Sequence, residues 1–125
     1  MTQSIKLIAE NLLNEWIDTL KTQDPQQMVA LYSESAMLLP TLDSIIRNNS
    51  EKIKEYFVSF LAKEPQCKIQ HKQIVVLGDD AVSIMGHYGF KFKGGASANA
   101  RFTYIFVKNE GEWKIEHHHS SLQPQ

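Results

Sequence analysis

Residues 97–121 read SANARFTYIFVKNEGEWKIEHHHSS, and this stretch decides the fold. Two runs rich in β-branched and aromatic side chains flank Asn109-Glu110-Gly111, a combination that is typical of two antiparallel strands joined by a tight turn. We therefore predict one strand over 97–108 and a second strand over 112–121.

The strand pattern continues upstream of this hairpin. Two further runs, at 68–77 and 81–93, are followed by the turn signals Gly78-Asp79-Asp80 and Gly94-Gly95. Consecutive strands joined by short turns predict an antiparallel meander. Nearer the N-terminus, the apolar run 36–39 ends at Pro40 and is too short for a helix, so we predict a buried strand followed by a loop to Arg47.

Helical periodicity dominates the first half of the chain. A first helix is predicted from Ile5 by apolar positions three or four residues apart: Ile5, Ile8, Leu12, Trp16 and Leu20, with Ala9, Leu13 and Ile17 widening the stripe. Asp24-Pro25 followed by Gln27 predicts the capped start of a short second helix. A third helix, capped by Asn49 or Ser50, carries an aromatic face made of Ile53, Tyr56, Phe57, Phe60 and Leu61.

Helices followed by strands predict an α+β fold, in which three N-terminal helices pack on the concave face of a curved antiparallel sheet. Strands of about ten residues coil strongly enough to make that sheet concave, so we expect a cone-shaped molecule. The length of 125 residues fits one domain over 1–125.

Composition excludes several classes of function. The net charge is −1 and no run of Lys or Arg occurs, so we predict neither nucleic-acid binding nor membrane binding. Cys67 is the one cysteine and has no partner for an internal disulfide. The start of the chain is amphipathic rather than continuously apolar, which predicts no signal peptide or membrane span and a cytoplasmic location.

Six short sequence motifs, taken in order, resemble those of the nuclear transport factor 2-like superfamily. This superfamily has a cystatin-like fold and includes SnoaL-like and ketosteroid isomerase-like proteins. The resemblance is closest to small bacterial relatives of the calcium/calmodulin-dependent protein kinase II association domain. The motifs are Leu38-Leu39-Pro40-Thr41 with Arg47, Tyr56-Phe57 with Phe60-Leu61, Gly86-x-Tyr88-x-Phe90, Ala100-Arg101-Phe102-Thr103, Gly111-x-Trp113-x-Ile115, and His118-His119-Ser120-Ser121 before Pro124. Together they cover most of the chain.

The resemblance implies a pocket between sheet and helices, and assembly through the sheet into homodimers or larger rings. It implies no kinase activity, and the chain has no glycine-rich nucleotide loop, so we predict no cofactor. The association-domain relatives keep a His-x-His at the positions of His117 and His119, which favours the face that carries this pair as the functional one.

Strand alternation places Trp113, Ile115, His117, His119 and Ser121 on one face of the last strand, and Lys114, Glu116, His118 and Ser120 on the other. His117 and His119 could supply two metal ligands, but no third ligand follows at a suitable spacing, so we predict no metal site. Imidazole can also act as an acid or a base, which makes His117, His119 and the hydrogen-bond donor Tyr88 the catalytic candidates. A structural hydrogen-bond network is the alternative.

Arg47 and Arg101 are the only arginines, and Arg suits bidentate recognition of carboxylates. The first hypothesis is therefore a self-associating domain whose apolar pocket binds a small anionic ligand. The predicted ligand-binding residues are Arg101, His117, His119, Ser121, Arg47, Tyr56, Tyr88, Thr103 and Phe60. An enzyme of isomerase, cyclase or hydratase type and a purely structural oligomerisation module remain as alternatives.

Overall fold

The structure is a computed structural model that describes residues 4–124. Three helices and five strands follow one another as α1 (Ile5–Leu20), α2 (Pro25–Val29), β1 (Tyr32–Leu39), α3 (Ser50–Leu61), β2 (Gln66–Gly78), β3 (Ala81–Lys91), β4 (Ser97–Asn109) and β5 (Glu112–Leu122). The predicted α+β fold, with helices on one face of a curved sheet, is confirmed. Residues 1–3, at the start of the segment from which we predicted no signal peptide, lie outside the described residues.

Each helix is preceded by a polar residue whose side chain accepts a hydrogen bond from a backbone N–H of the first turn. Ser4 accepts from Leu7 at the start of α1, and Asp24 accepts from Gln26 before α2, with Pro25 at the first helical position. Of the two predicted caps for α3, the structure selects Asn49, whose side chain accepts from the N–H of Lys52 at 2.8 Å. These contacts satisfy backbone donors that the helix itself leaves unpaired.

The apolar stripe of α1 is centred slightly away from the predicted line. Its buried residues are Ala9, Leu13, Trp16 and Leu20, whereas the predicted stripe members Ile5, Leu12 and Ile17 are half-buried at its edges. α1 and α3 lie on the sheet, and α2 packs against both of these helices. None of the described helices is long and apolar enough to span a membrane.

The sheet has the strand order β1-β5-β4-β3-β2, and β2 to β5 form the predicted antiparallel meander. β1 departs from the prediction of an antiparallel sheet, because it pairs in parallel with β5. Along the sequence, α3 and the strands β2, β3 and β4 separate β1 from β5, so no hairpin turn imposes an antiparallel direction on the pair.

A register shift in β5 changes which side chains share a face. Ile115 pairs with Phe106 and His117 pairs with Ile105, so Glu116 is an extra residue without a partner on β4. An extra residue reverses the alternation beyond it. Ile115 is therefore buried on the same face as His118, and the prediction that it shares a face with His117 and His119 is wrong.

The two faces of the sheet differ in their surroundings. The covered face, which lies under the helices, contributes large buried side chains that include Ile84, Tyr88, Phe102, Tyr104, Phe106 and Ile115. None of the helices described over residues 4–124 lies over the opposite face, which we call the open face. Its three central rows are Val75, Ser83, Ile105, His117 and Met37; Gln73, Met85, Thr103, His119 and Leu39; and His71, His87, Arg101 and Ser121.

Candidate functional site

A cavity of about 380 Å³ lies between the covered face and the helices. Its size falls within the range of roughly 300–1,000 Å³ that is usual for small-molecule sites. Most of its wall is apolar and aromatic, and the aromatic members include Trp16, Phe57, Phe60, Phe90 and Phe92. The exposed residues Leu42, Lys63 and Leu122 also line it and mark the side that opens to solvent.

The polar end of the cavity is a continuous set of hydrogen bonds around His118. Its Nδ1 lies 2.8 Å from the hydroxyl of Tyr32, and its Nε2 lies 3.2 Å from the hydroxyl of Tyr88. Tyr88 donates to Ser120 at 2.7 Å, and Ser120 lies 2.7 Å from Thr41. β5, β3, β1 and the loop after β1 therefore meet at one network of neutral side chains.

His118 is held as a neutral imidazole. Its ring stacks on Tyr104 with the two centroids 4.0 Å apart, and it is 4 % exposed. Burial, together with the neighbouring His119, lowers the pKa of His118 to about 3. Because both ring nitrogens already contact tyrosine hydroxyls, the ring is poorly placed to take a proton from a ligand.

Arg47 lies in the cavity wall, where two carboxylates engage its guanidinium. Nε and Nη2 donate to Asp43 at 3.0 and 2.8 Å, and Nη1 donates to Glu55 at 2.7 Å and to the carbonyl of Lys52 at 3.3 Å. Hydrogen bonding to Glu55 and Asp43 raises the pKa of Arg47. The backbone N–H of Ile45 and the guanidinium of Arg47 lower the pKa of Asp43. This arrangement fastens the loop after β1 to α3 and leaves Arg47 little capacity for a ligand anion.

A shallow depression on the open face brings together the other predicted polar residues. Arg101, Thr103, His119 and Ser121 line it, along with residues of β2 and β3 that include His71, Met85 and His87. Gly86 forms part of its floor. The depression contains one arginine, Arg101, and no carboxylate, and it lies on the opposite side of the sheet from the cavity.

The structure therefore divides the predicted site between two faces. Arg47, Tyr56, Phe60 and Tyr88 line the cavity, whereas Arg101, Thr103, His119 and Ser121 line the open-face depression. The prediction that Arg101, His117, His119 and Ser121 form the polar end of the apolar pocket is wrong. These side chains belong to the set that alternates outward on β4 and β5, and His117 lines neither concavity.

The same division separates the catalytic candidates. His117 and His119 lie on the open face, and Tyr88 lies on the covered face. The histidine that does contact Tyr88 is His118, which the sequence analysis assigned to the other set. A signal for it existed: the alternating aromatic residues Phe102, Tyr104 and Phe106 mark the covered face of β4, and His118 is paired with Tyr104.

Metal ligands are not clustered in the residues described. Within residues 4–124, no group of three or more His, Cys, Asp or Glu side chains is close enough to hold a metal ion. Burial raises the pKa of the Cys67 thiol to about 12, so this thiol is held in its unreactive protonated form.

Comparison with known structures defines the class of this protein. A nuclear transport factor 2-like protein of unknown function from Pseudomonas putida superimposes with a TM-score of 0.86 at 12% identity, covering 100% of this chain and 91% of that one. A nuclear transport factor 2-like superfamily protein from Salmonella enterica gives a TM-score of 0.81 at 16% identity, covering 96% and 92% of the two chains. The fold is thus nuclear transport factor 2-like.

A closer comparison identifies the family. The chain matches the model of the calcium/calmodulin dependent protein kinase II association domain over residues 6–124 and belongs to that family. A Xanthomonas campestris structure described as such an association domain is 33% identical, with a TM-score of 0.92 over 99% of this chain and 91% of that one. No protein among the curated sequences matches this chain at a significant level.

Proposed function

We propose that this protein is a self-associating domain that pairs with a second copy through the open face of its sheet, and that it binds a small molecule in the cavity under its helices. The observation that carries the proposal is the exposed apolar surface of the open face. Met37, Val75, Met85 and Leu39 are 50%, 49%, 45% and 40% exposed there. They lie in two adjacent rows of the open face, with the half-buried Ile105 between them. Large exposed apolar side chains that share one sheet face are a feature of interaction surfaces.

The dimensions of the open face suit a second copy of the chain. Five strands about 4.8 Å apart, over the 11 residues of β3 or β5 at about 3.4 Å each, span roughly 24 by 37 Å. That area is comparable to the roughly 800 Å² that each partner contributes to a standard stable interface. The family description as an association domain supports the same occupant.

Formal charge presents little obstacle to pairing of like faces. Arg101 is the formally charged side chain in the three central rows of the open face, and those rows contain no carboxylate. Two copies can therefore approach with a single cation each, and the remaining contacts are apolar or are made by Ser, Thr, Gln and His. A depletion of charged side chains is typical of the centre of surfaces that are buried on association.

Association can be tested by replacing one exposed apolar side chain of the open face. Met85→Lys would bring an unpaired charge into the interface, so we expect it to weaken association roughly a hundredfold. Val58→Lys is the matched control, because Val58 is 54% exposed on α3, away from the open face. Sedimentation equilibrium of the wild type and both variants measures the effect.

The expected result is a wild type and a Val58→Lys variant that self-associate, and a folded Met85→Lys variant that shifts towards the monomer. A wild type that stays monomeric at the highest concentration reached would overturn the proposal. Equal association of the two variants would show that the open face is not the surface used.

The sequence predicts an anionic ligand, and Arg101 is better placed than Arg47 to bind it. Arg47 is already held by Asp43 and Glu55, whereas no ion pair of Arg101 is found among the residues the structure describes. The depression that contains Arg101 also contains Met85, so a second copy on the open face would close over a bound anion. We therefore place the anion site at the association surface.

Benzoate is a suitable probe for this site. We expect it to shift the backbone amide resonances of Thr103 and His119, and we expect Arg101→Gln to remove those shifts. Lys63→Gln, which removes a cation that lines the cavity, should leave them in place. Benzoate-induced shifts that survive Arg101→Gln, or that occur only around the cavity, would contradict the assignment.

A further inference from the structure

The hydrogen bonds at the polar end of the cavity have a fixed direction, set by Trp16. An indole N–H can only donate, and Nε1 of Trp16 donates to the hydroxyl of Tyr32 at 3.1 Å. The oxygen of Tyr32 thus accepts from Trp16, and its single proton remains to be placed. His118 Nδ1, at 2.8 Å, is the acceptor within reach.

The opposite arrangement is costly. If His118 carried its proton on Nδ1, the oxygen of Tyr32 would accept twice and its own proton would have no acceptor among the described residues. Tyr32 is 5% exposed, and a buried donor that is left unpaired lowers stability because it loses its hydrogen bonds to water without replacing them. Nδ1 is therefore the acceptor, and the proton of the neutral imidazole resides on Nε2.

The same donor-to-acceptor direction continues from His118 to the cavity. Nε2–H donates to the oxygen of Tyr88, and Tyr88 donates to Ser120. Ser120 could accept a second bond from Thr41, but its own proton would then have no acceptor among the described residues. Because Ser120 is 8% exposed and Thr41 is half-buried at the cavity, we assign the proton of Ser120 to the oxygen of Thr41, 2.7 Å away. Every hydrogen bond in this series is therefore donated in the direction from Trp16 towards Thr41. The last proton, on the hydroxyl of Thr41, has no further acceptor among residues 4–124.

We propose that the Thr41 hydroxyl is the recognition group of the cavity, and that it donates a hydrogen bond to a neutral ligand with an apolar or aromatic body and an acceptor oxygen, such as a carbonyl or an ether. This inference rests on the proposal that the cavity binds a small molecule. Thr41 is half-buried and lines the cavity, opposite aromatic side chains such as Phe57 and Phe60.

The charges at the polar end of the cavity disfavour the other ligand classes there, because Lys63, the other cation that lines the cavity, lies at its mouth. Arg47 with Asp43 and Glu55 forms a group with a net negative charge, and His118 is neutral, so the inner wall has no free cation for a carboxylate. The Thr41 hydroxyl is presented as a donor, so a ligand whose polar group only donates leaves it unpaired. A neutral acceptor is the class that satisfies both conditions.

The ligand test compares acetophenone, which has a carbonyl acceptor and no donor, with ethylbenzene, which has nearly the same shape and no acceptor. Thr41→Val removes the hydroxyl at constant shape, and Thr41→Ser retains it. Dissociation constants from amide chemical-shift titrations are compared between each variant and the wild type. We expect Thr41→Val to weaken acetophenone roughly five- to tenfold, to leave ethylbenzene within about twofold, and Thr41→Ser to restore acetophenone binding.

The direction of the hydrogen bonds is tested without a ligand, by the ¹⁵N resonances of the imidazole of His118. We expect a protonated Nε2 and an unprotonated Nδ1, and a proton on Nδ1 would overturn the inference. Acetophenone binding that does not depend on Thr41 would also overturn it, while the proposed cavity function would stand. Failure of both probes to bind would instead overturn small-molecule binding in the cavity, and the recognition role of Thr41 with it.

Discussion

At the scale of single residues, His118 joins the elements around the cavity. Its ring packs against Tyr104 and lies edge-on to Trp16, and its two nitrogens contact tyrosines from β1 and β3. A charged imidazole in this position would lose hydration without gaining a carboxylate partner. Folding therefore selects the neutral form, which is why burial lowers the pKa.

This preference predicts a loss of stability in acid. The pKa of His118 is about 3 in the folded protein, whereas a free imidazole has a value near 6.5, so the unfolded chain binds more protons between these two values. The contribution of His118 is complete above about pH 6.5 and is lost as the pH falls towards 3. From pH 7 to pH 5 we expect a decrease of about 2 kcal/mol in the free energy of unfolding.

Urea denaturation of wild type, His118→Gln and Val58→Lys at a fixed protein concentration measures this effect. His118→Gln should be less stable at pH 7 but should show a flatter dependence on pH. The control Val58→Lys, at an exposed position of α3 away from the open face, should keep the wild-type slope. A slope that is the same in all three proteins would contradict the assigned role.

At the scale of the elements, two of the register shifts in the sheet decide where key residues lie. The first, at Glu116, turns His118 and Ser120 towards the helices. Its carboxylate accepts hydrogen bonds from Ser33 at 2.8 Å and Ser35 at 2.7 Å, which ties the extra residue to β1. β1 itself shifts register between Tyr32 and Met37, so both strands of the parallel pair are irregular at this point.

The second register shift lies in β2, between Ile69 and His71, and it brings the backbone of β2 very close to Gly86 on β3. A Cβ at position 86 would lie 1.9 Å from the carbonyl oxygen of His71 and 2.9 Å from the Cα of Lys72. Because these are backbone atoms, a side chain can be accommodated only by moving the strand.

We therefore expect Gly86→Ala to lower the free energy of unfolding by about 3 kcal/mol, at the upper end of the usual cost of overpacking. Gly78→Ala is the matched control on the same pair of strands, because no described heavy atom lies within 4 Å of its Cβ position. The control should change stability by less than about 0.5 kcal/mol. Equal midpoints for the two variants in urea would disprove the close approach.

At the scale of the whole molecule, the sheet separates two surfaces with different properties. The covered face and the helices enclose a cavity that ends in a neutral hydrogen-bond network, and the open face carries apolar side chains beside Arg101. Association through the open face leaves the mouth of the cavity uncovered, because Leu42, Lys63 and Leu122 lie on the other side of the sheet. The two proposed activities are therefore physically compatible.

The association proposal has a thermal consequence at this scale. If folding is coupled to pairing, dilution removes part of the stabilisation. The melting temperature of the wild type should therefore be lower at low protein concentration than at high protein concentration. The same comparison with Met85→Lys supplies a second readout, since that variant should melt at a temperature independent of concentration. A wild type without concentration dependence would argue that pairing contributes nothing to its stability.

The sequence by itself determined the order of the helices and strands, their caps and turns, and the α+β class, because these depend on side chains a few residues apart. Asp24, Asn49 and the turn at Asn109-Glu110-Gly111 act locally, and each acts as predicted. The aromatic face of α3 was also predicted, and Tyr56 and Phe60 do line the cavity.

Only the tertiary structure decided which histidine faces the helices and which strand lies beside β5. A single extra residue, Glu116, exchanges the two faces of β5, and no local pattern distinguishes an extra residue from an ordinary strand position. The bonds that hold it come from Ser33 and Ser35, more than eighty residues away in the chain. Strand register and pairing are set by such distant contacts, and so was the division of the predicted site into a cavity and an open face.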